Sequence, residues 1–167
     1  KNRRVYTWDG TNMVKFQINP STGDITNKAA LAALGLGATP DEAQAVAQFA
    51  LGKPGSGNKA VLGAIVNSTP IDVASPGDVP LPGGHAFFLR YMTRPHLIYV
   101  GSSDMMLHAF FLETTKVGTT TFPAGKEAFA FVPPDFLPNL RRLYSQGGQE
   151  LNPFKHIFGL ADSPKVK

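Results

Sequence analysis

The stretch "HLIYVGSSDMMLHAFF", residues 96–111, constrains the fold more than any other part of the chain. Two apolar runs, one centred on Ile98-Tyr99-Val100 and one from Met106 to Phe111, are broken by Gly101-Ser102-Ser103-Asp104. Short aromatic and branched runs favour strands, and Gly-Ser-Ser-Asp is hairpin-turn chemistry. The spacing predicts antiparallel strands over 97–101 and 106–112 with no helix between them. Both runs are apolar on both faces, so the hairpin should be covered on both sides by stacked sheets.

The rest of the chain is punctuated in the same way. Glycine (17) and proline (14) are frequent in these 167 residues, which favours many turns and short strands. Val5 to Trp8 and Met13 to Ile18 read as two paired strands around Asp9-Gly10, with a second turn at 19–24. Further strands are expected at Leu62 to Val66, Ile71 to Val73, "HAFFLRYM" from His85, and "KEAFAFVP" from Lys126. "VPLPGG" and "VGTTTFPAG" read as loops, and "HIFGLADSPKVK" as another strand beginning.

Residues 27–60 differ in kind. "NKAALAALGLG" is alanine- and leucine-rich and predicts a helix ended by Gly35 and Gly37. "TPDEAQAVAQFALG" predicts the clearest helix, over 40–51. Thr39 is its N-cap, Pro40 takes the first helical position, Glu42 completes a capping box, and Gly52 stops it. Val46, Phe49 and Ala50 share one face. "KPGSGNK", 53–59, reads as a flexible linker. Near the end, Leu137, Leu140 and Leu143-Tyr144 predict one short helical segment. The chain thus divides into partial sheet strands at 1–26, a helical insertion and Gly/Pro linker at 27–60, and a sheet region at 61–167.

Two phrases recur. "VYTWDGTNMVKF" and "IYVGSSDMMLHAF" share an aromatic strand, a polar turn, Met, and a strand ending in Phe. "LGAIVNSTPIDV" and "FGLADSPKVK" share Gly, then Ser, Pro and Val, with Ser68 and Ser163 95 positions apart. That interval holds about four expected strands, the content of one β-propeller blade. Chance likeness among short aromatic strands is the competing reading.

These phrases also resemble a family. "RPHLIYVGSSDMMLHAFF", "AGKEAFAFVPPDFLPNLRRL", "VLGAIVNSTPIDV" and the tail "HIFGLADSPKVK" fall in the order seen in the C-terminal quinoprotein-like propeller of the PilY family of type IV pilus biogenesis and tip-adhesin proteins. The likeness covers 62–167, and 3–18 loosely. It implies a mainly β fold with a small helical insertion, an incomplete β-propeller of about one blade and parts of its neighbours. Met105 stands where the family's phrase has glycine, so the turn must do without a residue that takes positive φ easily. Ala64, Asn67 and Ala161-Asp162 also depart from its polar pattern.

Readable chemistry is sparse. Net charge is +4 with no run of five basic residues, which argues against nucleic acid. Cysteine is absent, which removes disulfides, zinc-thiolate sites and thiol nucleophiles. No apolar run reaches the ~18 residues of a membrane span. His108 reads as a satisfied structural histidine, and Asp104 as the cap of its own turn. His85, His96 and His156 sit near expected strand starts without metal-ligand spacing. Asp72, Asp78, Asp104, Asp135 and Asp162 stand alone rather than in a calcium loop. "GSGNK" lacks phosphate-loop spacing, and Asn67-Ser68-Thr69 fits the glycosylation pattern only cheaply. Trp8, Phe87, Phe88, Phe110, Phe111, Phe129 and Phe131 read as packing between blades rather than as an adhesive surface.

The reading is therefore a non-enzymatic module with no catalytic, cofactor-binding or metal residues of its own. The resemblance implies pilus assembly or tip adhesion, surface attachment and twitching motility. It implies export to the outer membrane surface, pilus tip or extracellular space, and calcium elsewhere in the parent protein. Expected partners are pilin or minor pilin subunits, the remaining blades, and a host or surface ligand. The alternatives are a quinone-cofactor dehydrogenase propeller and an outer-membrane assembly scaffold. Beginning at Lys1-Asn2 and ending in "SPKVK", the sequence reads as a piece of a longer protein. The faces around Ile98, Tyr99, Phe110 and Phe129 should then be covered by other chain.

Overall fold

The hairpin forms where the spacing places it. In the computed structural model, which describes residues 3–53, 62–78, 80–146, 159–160 and 164, strands and helices follow in this order. They are β1 Val5–Trp8, β2 Met13–Lys15, α1 Lys28–Ala33, α2 Pro40–Ala50, β3 Ile71–Val73 and α3 Gly84–Tyr91. Then come β4 Leu97–Gly101, β5 Leu107–Phe111, β6 Thr115–Val117, β7 Thr120–Phe122, β8 Glu127–Phe131 and α4 Leu137–Ser145. β4 and β5 pair antiparallel from Leu97↔Phe111 to Gly101↔Leu107.

β3, β4, β5 and β8 make a four-stranded antiparallel meander, and β6 with β7 is a separate hairpin inserted before β8. The meander does not stand alone. β1 pairs parallel with β8 through Val5↔Ala130 and Tyr6↔Phe131, and β2 pairs antiparallel with β1. The result is one mixed sheet of order β2-β1-β8-β5-β4-β3 among the described residues. The strands at the N-terminal end thus join the sheet of the later region. The described strands form an open sheet, mainly β with few helices, and not a ring.

Its two faces differ. Val5, Ala130 and Val132 share a buried cluster with Leu31, Val46, Phe49, Leu137 and Leu140, so α1, α2 and α4 cover one face. On the other, Ala109, Phe111 and Ala128 pack with half-buried Leu97, Tyr99, Phe122 and Phe129. A register shift between Ala109 and Phe110 leaves Ala128 without a cross-strand partner and sets Glu127 opposite Phe110. This bulge moves Glu127 onto the face of His108, because strand side chains alternate with a period of two.

The α2 signals hold, except that Glu42 reaches one residue before the N-cap rather than Thr39 itself. Thr39 Oγ1 accepts from Glu42 N at 3.2 Å, and Glu42 Oε2 accepts from Ala38 N at 2.7 Å. Gly52 ends the helix at φ 66°. Ala43, Val46, Ala47, Phe49 and Ala50 form its buried face. Thr39→Ala should lower the unfolding free energy by about 1 kcal/mol, read as a shift in the urea midpoint at unchanged slope. Leu137, Leu140 and Leu143 are the buried stripe of α4, as their spacing predicts.

Three local expectations are overturned. "HAFFLRYM" is mostly α3, not a strand, and His85 is therefore helical. The segment has no β-branched residue, and Phe87 meets Tyr91 one turn later, ring centroids 4.7 Å apart and tilted by 54°. Gly83, at φ 80°, opens the helix. Leu62 to Val66 is irregular, and only Ile71–Val73 pairs in that region. "VGTTTFPAG" contains most of the β6–β7 hairpin rather than a plain loop. The linker expected at 53–59 lies outside the described residues except Lys53, as does the final strand except Gly159, Leu160 and Pro164; none of these is in a strand.

Candidate functional site

His108 lies mid-strand in β5, fully buried, and both ring nitrogens meet carboxylates. Nδ1 is 2.7 Å from Glu127 Oε1, and Nε2 is 3.0 Å and 3.1 Å from the two Asp104 oxygens. Ser102 Oγ is 3.0 Å from Nε2 and also donates to Asp104 Oδ1. Arg3 closes the cluster. Its Nε and Nη2 donate to the two Glu127 oxygens at 2.8 Å and 2.9 Å, a bidentate fork, and its Nη1 donates to Ala50 O at 3.0 Å. Gly63 N donates to Asp104 Oδ2 at 3.1 Å.

The charges settle the protonation. Burial pushes the His108 imidazole down, but hydrogen bonds to Asp104 and Glu127 outweigh it and raise its pKa above the ordinary value. Burial pushes Asp104 up, yet His108, Ser102 and Gly63 bring it below the usual carboxylate range. For Glu127 too, burial is outweighed by His108 and Arg3, and its pKa is lowered. The imidazolium then donates from both nitrogens. Nη2 of Arg3, 3.0 Å from Nδ1, directs its proton to Glu127 instead. Two cations and two anions balance in a nearly dry pocket.

Ser102, His108 and Glu127 stand in the nucleophile–base–acid sequence of a hydrolytic triad. Their environment does not favour proton transfer from the serine. Ser102 and His108 are fully buried, the serine proton goes to Asp104, and the imidazolium has no lone pair to accept one. The cluster ties six segments together: the N-terminal arm at Arg3, the end of α2, the Gly63 segment, the β4–β5 turn, β5 and β8.

The turn itself is gripped from two sides. Ser103 N donates to Ala64 O at 2.9 Å, and Leu160 N donates to Ser102 O at 3.1 Å. A Cβ on Gly63 would stand 2.6 Å from Asp104 N, and one on Gly159 2.6 Å from Ser102 O. The glycines of the two repeated phrases, "LGAIVNSTP" and "FGLADSP", thus serve the same turn. Ser68 adds a clasp, its buried Oγ accepting from Gly101 N at 2.9 Å.

The satisfied-histidine reading of His108 stands, but Asp104 is corrected. Its carboxylate reaches Ser102, His108 and Gly63 rather than the amides of its own turn. Asp72 and Asp78 pair with His96 and His85 respectively. The Gly125-Lys126-Glu127 phrase marks Glu127 only through the family resemblance, and nothing in the sequence pairs it with Arg3. They are 124 positions apart and meet only because β1 lies beside β8.

The cluster also fixes a pH profile. His108 has a raised pKa when folded, so its contribution is complete below the unfolded value of about 6.5 and is lost as pH rises through the folded value. Asp104 and Glu127 have lowered folded values, so theirs is complete above about pH 5 and is lost as pH falls. The difference in unfolding free energy between wild type and His108→Gln should peak near pH 5–6 and shrink toward pH 8. Guanidinium titrations at four pH values check this; a difference that grows toward pH 8 contradicts it.

Among the described residues, no helix is long and apolar enough to cross a membrane. No protein-family model matches the chain, and no solved structure does. A type IV pilus biogenesis factor, the PilY1 homolog of Xylella fastidiosa (strain Temecula1), is 36% identical over 88 residues. The matched part is 48% of this chain and 6% of that protein, so the chain spans only a small fraction of its relative's length. The match relates part of the chain to a pilus biogenesis factor.

Proposed function

We propose that this chain is a non-enzymatic module of a type IV pilus assembly and tip-adhesion protein, acting outside the cell at the outer membrane or pilus tip. The observation that carries the reading is its similarity over 88 residues to the pilus biogenesis factor. The four-stranded meander β3-β4-β5-β8 has the strand content of one propeller blade, which supports a blade of a larger propeller. The sealed Ser102–His108–Glu127 arrangement supports a structural use for the most chemically suggestive residues of the chain. Pilin or minor pilin subunits and further blades are the proposed partners.

The test is genetic. A chromosomal allele encoding Met105→Asp puts a charge into a fully buried site and should unfold the region. Sheared surface pilin and the twitching zone should both fall to the level of a pilus-assembly null strain. Normal piliation and twitching, with the variant protein depleted on immunoblots, would overturn the reading.

A further inference from the structure

Arg4 sits beside two adjoining cavities on the β1–β2 end of the sheet. One, of about 240 Å³, is apolar and lined by Tyr6, Met13, Ala128 and Phe129. The other, of about 480 Å³, is lined by Arg3, Lys15, Phe16 and Gln17 among others. Arg4 borders both. Its guanidinium lies over the Phe122 ring at 5.1 Å, and Phe122 stacks on buried Phe111 at 5.0 Å. Its carbonyl is held by Ala130 N at 2.8 Å. An arginine mounted flat on an aromatic face keeps its N–H edges free and loses little entropy when it takes a carboxylate. Among the described residues no carboxylate meets Arg4 or Lys15, whereas Arg3 is turned inward to Glu127.

We propose that this groove binds an extended segment of a partner protein in which a carboxylate stands next to an aromatic or aliphatic side chain. The apolar side chain enters between Tyr6, Met13 and Phe129, and the acid meets Arg4 and Lys15. The apolar cavity is smaller than the roughly 300–1,000 Å³ of small-molecule sites and suits one side chain. Nucleic acid fits less well. Among the described residues only two cations without a carboxylate partner line the groove, and Tyr6 meets Phe129 edge-on at 86°, which offers no flat stacking platform. The inference stands on charge and shape, independently of the pilus reading.

The experiment is a fluorescence-anisotropy titration of the 167-residue chain with labelled peptide GSTFEDTSG. The comparators are a peptide with lysines in place of its acids and a labelled oligothymidylate. The acidic peptide should bind in the micromolar range, at least tenfold more tightly than either comparator. Arg4→Glu should weaken it more than tenfold, and Met13→Glu, at an exposed position, at least threefold. Far-UV circular dichroism confirms that both variants are folded. No saturation by 1 mM peptide, unchanged affinity in either variant, or tighter binding of the oligonucleotide would overturn the proposal.

Discussion

Glu127→Ala should lower the unfolding free energy by about 3–5 kcal/mol, the range for breaking a buried ion pair by removing one partner. The loss is large because Glu127 answers two cations at once, the Arg3 guanidinium and the His108 imidazolium. The Arg3 side chain is only 5% exposed and His108 not at all, so neither can recover its hydration in the folded state. A deleted carboxylate leaves an uncompensated charge rather than a gap. Glu127→Gln keeps the shape and should cost less. Arg3→Met combined with Glu127→Leu should cost less than the two single changes added, because both charges leave together. Urea denaturation of wild type, Glu127→Ala, Glu127→Gln, the double variant and its two single variants checks the order. A loss below 1 kcal/mol for Glu127→Ala would show that the cluster is more open to water than its burial indicates.

The second large effect concerns Met105. It takes φ 69° in the β4–β5 turn and is fully buried in the main core. Two terms oppose each other. The left-handed backbone costs a side-chain-bearing residue about 1–2 kcal/mol relative to glycine. Burial of a methionine side chain contributes about 2–5 kcal/mol, as large-to-small core changes show. Burial wins, which explains how methionine can stand where a turn of this kind prefers glycine. Met105→Ala should therefore cost about 2–5 kcal/mol. Met105→Gly also loses the side chain but relieves the backbone, and glycine's extra unfolded-state entropy, about 0.4–1 kcal/mol, only partly offsets that relief. The stability order should be methionine, then glycine, then alanine, opposite to the usual ranking of the last two. Thermal midpoints decide it; alanine above glycine would mean that the turn relaxes out of the left-handed region.

The parts of this fold that could be read from sequence are those written within a dozen residues. Thr39, Pro40, Glu42 and Gly52 bracket α2 because caps act on the nearest turn. Gly101 to Asp104 marks the β4–β5 hairpin because a two-strand turn is local. The α3 segment misled because its aromatic run suits a buried strand or a helix alike, and it buries no residue that would reveal a stripe. The site was half legible. His108 announced itself as a polar residue in an apolar strand, but its partners are fixed by a parallel pairing and a bulge. Neither leaves a mark in the order of residues.

That parallel pairing reaches from the first strand of the chain to the last of the sheet. Thr7 Oγ1 donates to Val132 O across 125 positions. During synthesis, at about 5–20 residues per second, β1 leaves the ribosome roughly 6–25 s before the strand it needs. Until then the β1–β2 hairpin lacks a third strand and has only α1 and α2 to pack against. Closing so long a loop also costs entropy before any contact repays it, so the sheet should complete late and slowly. A nascent chain stopped short of β8 would hold two unconnected pieces of sheet, with the pocket for Arg3 not yet made.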